Sequence, residues 1–360
     1  RERIRINDCL ISEEDVVRLL EKVKVAVNNI KGVMPSFFEV YTAVCYLYFK
    51  EKNVDFAVYE VGLGGRLDAT NIIDPLVSAI TPISYEHMDK LGNTLREIAS
   101  EKAGIVKNGG ICVSAPQTEE ADEAIEDICC KRNARLIRVG QEIIFKEISA
   151  NDMKEVFEVS GLFDKYEGLE TFLMGPHQVL NAAVAIGVIE ALRFKGVEIS
   201  KGAVRQGIGR ARWEGRLEVI RKRPFIILDG AQNRASAGAL AVAIQRFKYK
   251  RLLLVLGVSK DKDIEGILEE LLPISDQLIL TKSRIAERAL EPSKIRKFIK
   301  DTKYKDMETI QTVSVKEALD KAASYAAEHD MILITGSLFV VGEARKRLMA
   351  SQALPRALRR

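Results

Sequence analysis

EVGLGGRLDATN, residues 60–71, joins an apolar run to a glycine turn. Phe56, Ala57, Val58 and Tyr59 form a short apolar run after the polar EKNVD and read as a strand, with Glu60 as an acid at its end. Gly62, Gly64 and Gly65 then supply a turn whose backbone a ligand can approach closely. In an open α/β sheet, ligands bind at the carboxyl ends of the strands. Glu60 therefore stands where a hydrophilic site needs a carboxylate.

Working outward, residues 77–83 read as a second strand, ending in SYEHMD, which brings His87. Thr94-Leu-Arg-Glu97 has the form of a capping box. The helix it opens carries Glu101 and Lys102 and stops near Lys107-Asn108-Gly109-Gly110. Glu60, His87 and Lys102 thus come from two strand ends and one helix. Glutamate and histidine can share a divalent cation. A lysine joins such a set only if neutral or chemically modified, and carbamylation by carbon dioxide would turn it into a carboxylate.

The rest of the first half reads as helices over residues 13–28 and 37–52, strands over 112–115 and 136–139, and a helix over 119–131 between them. Residues 141–171 are less regular and suit antiparallel strands at one edge. An alanine-rich helix over 178–194 and a short helix over 200–207 follow. From Pro224 onward, apolar runs at 225–228, 252–256, 277–280 and 331–334 alternate with helical segments at 235–247, 264–272, 292–300 and 315–329. That alternation predicts a mostly parallel, doubly wound sheet. The change of register near Arg216 puts a domain boundary at 217–222, and a cleft between two domains is a common place for a ligand.

Hydrophobic content of 47% with 29% charged residues suits a soluble globular chain with ample core. The net charge of +4, from 55 basic and 51 acidic residues, gives no reason to expect a nucleic-acid partner. The patch Arg221-Lys222-Arg223 and the tail RALRR, residues 356–360, are local and read as solvated. Five scattered cysteines, with no CxxC and no metal spacing, fit reduced thiols of a cytoplasmic protein. No apolar run approaches the roughly 18–20 residues that span a membrane.

EVGLGGRLDATN, then His87, LGNT and EKAGI, resembles the central domain of the folylpolyglutamate synthase and dihydrofolate synthase family of the Mur ligase superfamily. Later segments agree in order: HQVLNAA at 177–183, WEGRLEV at 213–219, LDGAQN at 228–233, DKD at 261–263 and TGSLFVVGEAR at 335–345. The resemblance covers essentially the whole chain. It implies an α/β, Mur-ligase-like fold: a P-loop-type ATP-binding central domain over 1–217 and a C-terminal Rossmann-like glutamate-binding domain over 218–360. It also implies an N-terminal P-loop ending in GK[ST], whereas this chain contains no Gly-Lys dipeptide. The central domain is thus expected to be truncated by several tens of residues, and the 360 residues alone to be inactive.

The implied activity is ATP-dependent addition of L-glutamate to the γ-carboxylate of folate, or to dihydropteroate, through an acyl phosphate, in a monomer with no nucleic-acid or membrane partner. Mg²⁺ would be held by Glu60, His87 and a carbamylated Lys102, and ATP by Asn181, Arg216 and Asp229. Glu60, His87 and Lys102 are the catalytic set. Gln232, Lys262, Arg288 and Ser337, with Ser283, are candidates for the acceptor pocket, and Arg66 for facing substrate. Asp68 and Asn71 would brace the glycine loop, and His177 and Gln178 precede a helix where capping is the simpler role. Gln232 is a departure: the family reads DGAHN, and DGAQN removes a group that titrates near neutrality. Two alternatives stay open: a Mur-type ligase for another acceptor, and a P-loop-less homologue that is not an enzyme.

Overall fold

The computed structural model describes residues 1–285, 287–300 and 302–350, and the RALRR tail lies outside them. The chain divides into two compact units, residues 1–137 and 138–360.

In the first unit, β1 (Arg5–Ile6) pairs antiparallel with β2 (Cys9–Leu10), ahead of α1 (Glu13–Asn28) and α2 (Phe37–Lys52). Ser12 and Ser36 start these helices by accepting the N–H of Asp15 and of Glu39, and Glu39 returns a bond to the Ser36 N–H. Ile4, Ile11, Leu19, Val44 and Tyr48 form a core between them. Then come β3 (Ser78–Ile80), α3 (Met88–Leu91), α4 (Leu95–Ala103), β4 (Ile111–Ser114), α5 (Glu119–Lys131) and β5 (Arg135–Arg138). The sheet order is β3-β4-β5, with β3 and β4 parallel. Ile80, Ile98, Cys112 and Ile125 belong to its core.

The apolar run over 56–59 joins no sheet ladder among the described residues. Val58 is 94% exposed and Phe56 56% exposed. Apolar content favours burial, but a strand also needs a neighbour whose N–H and C=O groups it can pair with.

The second unit opens with β6 (Ile144–Ala150), β7 (Glu155–Ser160) and β8 (Lys165–Thr171), antiparallel as expected from 141–171 but forming a sheet of their own rather than the edge of another. After α6 (Pro176–Leu192) and α7 (Lys201–Arg210), β9 (Glu218–Lys222) runs antiparallel to β10 (Phe225–Leu228). The segment expected as a boundary is thus largely a strand. Next in order are α8 (Arg234–Ile244), β11 (Leu252–Leu256), α9 (Ile264–Leu271), β12 (Gln277–Leu280), α10 (Pro292–Lys300), β13 (Thr309–Gln311), α11 (Val315–Tyr325), β14 (Met331–Thr335) and α12 (Leu338–Ala350).

The six strands lie in the order β13-β12-β11-β14-β10-β9, all parallel except β9. Alternation sorts their side chains onto two faces. Ile227, Leu252, Leu254, Leu256 and Leu333 join one core, and Ile226, Leu228, Leu253, Val255 and Ile332 the other. Both faces are covered by helices, which is why these strands read as continuous apolar runs.

Candidate active site

In the first unit, one carboxylate closes the glycine turn. Asp68 accepts the N–H groups of Gly62 and Leu63, each at 3.0 Å. Its other oxygen accepts the Thr70 N–H at 2.9 Å and the Thr70 hydroxyl at 2.6 Å. The Asn71 amide donates to the carbonyls of Arg66 and Gly104 at 3.0 and 3.2 Å, and the Lys107 ammonium donates to both Asn71 oxygens at 2.7 and 2.9 Å. The bracing expected of Asp68 and Asn71 is what these bonds provide.

Two glycines let this turn lie against α4. A Cβ on Gly65 would stand 2.6 Å from the Lys102 carbonyl oxygen, and one on Gly104 2.4 Å from Arg66 Cβ. The Arg66 N–H donates to the Glu101 carbonyl at 2.8 Å. Lys102, half-buried in the last turn of α4, is thereby fixed relative to the chain that leaves Glu60. The Arg66 guanidinium, proposed from sequence to face substrate, is paired with Glu101 at 3.0 Å.

His87 occupies left-handed backbone, φ 54°, immediately before α3, a conformation uncommon outside glycine. Its ring is 42% exposed and its Nε2 lies 3.8 Å from Glu86. Glu60 is exposed. Among the described residues, neither the Glu60 carboxylate nor the Lys102 ammonium has a hydrogen-bond or ion-pair partner. Among those residues too, no three His, Cys, Asp or Glu side chains form a group that could hold a metal.

In the second unit, Asp229 follows the carboxyl end of β10 and is 8% exposed. Its oxygens accept the N–H groups of Leu217 and Ala231, both at 2.8 Å. Burial pushes its carboxyl above the ordinary 3.8, against those two bonds and the nearby Arg216 guanidinium, which favour the charged form. Arg216 is exposed, and a Cβ on Gly230 would lie 3.0 Å from its Nη1. His177 completes the group: burial, and then Arg216, push its imidazole below the ordinary 6.5. Asn181 lies one turn along α6, exposed, with its amide donating to Gln178 at 3.2 Å. The structure therefore brings Asp229, Arg216 and His177 together, although sequence reasoning gave His177 only a capping role.

The acceptor candidates follow the carboxyl ends of the parallel strands, where an α/β sheet binds its ligands. Gln232 follows β10, and its N–H donates to the Ser236 hydroxyl at 3.1 Å. Lys262 follows β11, with its side chain 12% exposed. Ser283 follows β12 and Ser337 follows β14, 6% and 4% exposed. The Arg288 carbonyl accepts the Lys260 N–H at 2.9 Å, and its guanidinium lies 6.0 Å from the Phe339 ring centroid. Small residues keep these loops close: Gly336, at φ +97°, donates its N–H to the Ala231 carbonyl at 3.1 Å, and a Cβ there would stand 2.8 Å from the Gly257 carbonyl oxygen.

Sequence reasoning passed over Glu155 and Arg246. Glu155 is fully buried and accepts the Gly175 N–H at 2.7 Å, just ahead of His177. The signal was available in EVFEVS: period two puts Glu155 on the same face as Phe157 and Val159, both fully buried.

Comparison with known proteins shows the family and the fold. The Mur ligase middle domain matches residues 34–189, and the Mur ligase glutamate ligase domain matches residues 215–338. A dihydrofolate synthase/folylpolyglutamate synthase of Bacillus subtilis is 34% identical over 96% of this chain and 81% of its own length. The folylpolyglutamate synthase of Mycobacterium tuberculosis complexed with ADP superposes with a TM-score of 0.85 at 32% identity, over 94% of this chain and 79% of that one. Escherichia coli FolC, in complex with DHPP and ADP, superposes with a TM-score of 0.87 at 29% identity, over 98% and 80%. The α/β middle and C-terminal domains expected from sequence are those of these relatives, and the chain belongs to the dihydrofolate synthase/folylpolyglutamate synthase family of Mur ligases.

Proposed function

We propose that the chain carries out ATP-dependent ligation of L-glutamate to a folate γ-carboxylate, to dihydropteroate, or to both. The observation that carries this reading is the group of Arg216, Asp229 and His177 at the end of β10, with Gln232 three residues past Asp229, in a chain 34% identical to a dihydrofolate synthase/folylpolyglutamate synthase.

In this reading the acceptor carboxylate attacks the γ-phosphorus of ATP, the bond to the β,γ-bridging oxygen breaks, and an acyl phosphate and ADP result. The amine of glutamate then attacks the acyl carbon, and phosphate leaves from the tetrahedral intermediate. Little covalent work falls to the protein, so positioning and charge neutralisation dominate. The Arg216 guanidinium suits bidentate contact with phosphate oxygens. Each Asp229 oxygen keeps a lone pair for a ribose hydroxyl, and Asn181 offers an amide to the nucleotide. Gln232, Lys262, Arg288 and Ser337 supply donors for the two carboxylates of glutamate in the C-terminal domain, 218–360.

Magnesium keeps several waters and takes one or two carboxylates alongside substrate phosphates, so the exposed Glu60 carboxylate, which has no partner among the described residues, would hold such an ion, with His87 as the further candidate from the sequence. Lys102 fits as a carbamate: its ammonium has no counter-charge among the described residues, so modification breaks no ion pair. Bound there, the ion would supply neutralisation of phosphate charge. All five cysteines are free thiols, which suits the cytoplasmic setting this reading expects, and among the described residues no helix is long and apolar enough to cross a membrane.

The test is phosphate release from ATP with L-glutamate, with dihydropteroate and tetrahydrofolate supplied separately. Release that needs both glutamate and a pterin identifies the activity and its acceptor. No release with either pterin, by a chain that binds ADP, would favour the second reading, a Mur-type ligase for another acceptor, which Gln232 in place of the family histidine supports.

A further inference from the structure

β7 presents Glu155 on a face otherwise lined by Phe157 and Val159. A bulge in the β6–β7 register puts Glu147, rather than Ile148, opposite Phe157 and so on that same inner face, while Ile148 stays 52% exposed. Between the two acids lies Arg246, just beyond the end of α8. Its Nη1 donates to Glu147 Oε1 at 2.9 Å and its Nη2 donates to Glu147 Oε2 at 2.5 Å. Its Nε stands 3.2 Å from Glu155 Oε1. A fully buried carboxylate is costly unless it is paired and hydrogen-bonded. Here that cost is met by one cation and one backbone donor, the N–H of Gly175.

Gly175 is the residue before α6, with φ +104° and no side-chain cap. A Cβ there would lie 2.7 Å from His177 Cε1 and 2.8 Å from Ala243 Cβ on α8. The turn is thus held from three sides: by the Glu155 carboxylate, by α8 and by the His177 ring. The other end of α8 begins at Asn233, next to Gln232. A single helix therefore runs from the acceptor candidate to the arginine that grips the acid behind His177.

We infer that Glu155 and Arg246 are positioning residues: by holding the Gly175 N–H they fix the start of α6, with His177, Gln178 and Asn181 on it, and tie that turn through α8 to the loop carrying Gln232. This rests on the proposed nucleotide role of α6, but its test reads the turn directly. The chain has three histidines, His87, His177 and His329, so the His177 imidazole can be followed by NMR. Glu155→Gln keeps the shape and one acceptor while removing the charge that binds Arg246. Tyr166→Phe serves as control, because it removes a buried hydrogen bond to Glu190 on the same helix without touching its first turn.

The expected result is a shifted His177 resonance in Glu155→Gln, with His87 and His329 unmoved, and no such shift in Tyr166→Phe. ADP affinity should fall about tenfold in Glu155→Gln, the scale of one hydrogen bond to a charged group. Arg246→Lys, which retains a cation, should restore most of what Arg246→Met loses. An unmoved His177 in a folded Glu155→Gln chain would overturn the inference, as would an equal shift in the control. If Glu155→Gln fails to fold, Arg246→Met decides by the same resonance. Failure of the wild-type chain to bind ADP would count against the nucleotide reading of α6, while the NMR result would still decide whether the clasp sets the turn.

Discussion

Two aspartates, one in each unit, perform the same task at different depths. Asp68 ties the glycine turn by accepting the N–H groups of Gly62, Leu63 and Thr70. Asp229 ties the end of β10 to the preceding loop by accepting those of Leu217 and Ala231. Asp68 is only half-buried, so water can reach donors that lose it. Asp229 is 8% exposed, and its donors have no such substitute. Equal bonds therefore do not carry equal weight: the deeper carboxylate costs more to bury and far more to remove.

Asp229→Ala should have the largest effect. Two buried N–H groups would lose their acceptor, costing about 3 kcal/mol of stability in denaturant unfolding. If Asp68→Ala costs as much, depth is not what separates the two. Next is Gly65→Ala or Gly104→Ala, since the added methyl group would press on backbone rather than on a flexible side-chain tip. Overpacking of that kind costs about 2 kcal/mol, measured in the same way. Asp68→Ala should cost about 1 kcal/mol, the ordinary value of a lost cap at a partly solvated turn.

The smallest effect, and the sharpest, is on pH dependence. The folded chain holds the Asp229 carboxyl above its ordinary 3.8, so it binds that proton more tightly than the unfolded chain does. The stabilising contribution of the protonated group is fully present below 3.8 and is lost as pH rises through the higher folded value. Wild type should therefore gain stability relative to Asp229→Asn as pH falls through that window, read from parallel melting curves. A flat difference between the two curves would contradict the desolvation of Asp229.

Much of this was legible in the sequence where local rules and burial agree. The Thr94–Glu97 capping box is present, with the Thr94 hydroxyl accepting the Glu97 N–H and the Glu97 carboxylate accepting the Thr94 N–H. The helices Glu13–Asn28, Phe37–Lys52 and Glu119–Lys131, and the strands Phe225–Leu228, Leu252–Leu256 and Gln277–Leu280, begin and end where their patterns do. What was not legible depends on partners distant in the chain. The run over 56–59 has a strand's composition but no ladder. Glu218–Lys222, where a domain boundary is expected, is also a strand that the sequence does not announce, because only Val219 and Ile220 of its five residues are apolar. Thr309–Gln311 is too short to show a period at all.

The site divides in the same way. That Asp68 braces its loop was readable from local chemistry. That Arg66 is committed to Glu101, or that His177 sits beside Arg216, follows from packing across more than 30 residues of chain.

The close approach of Gly65 to the Lys102 carbonyl and of Gly104 to the Arg66 backbone has a consequence for how this part of the chain can vary. Two backbones touching with no side chain between them act as a fixed hinge pin. The 81–94 segment between them is anchored in the core at Ile83 and Leu91, and only the stretch joining those anchors, which carries His87, can change in length at small entropic cost, because loop closure depends only weakly on loop size. Insertions there would leave the glycine turn and Lys102 in register, while any side chain at either end of the pin would disturb both at once. Natural variation in this unit should therefore collect in the His87 loop, with the two glycines held constant as a pair.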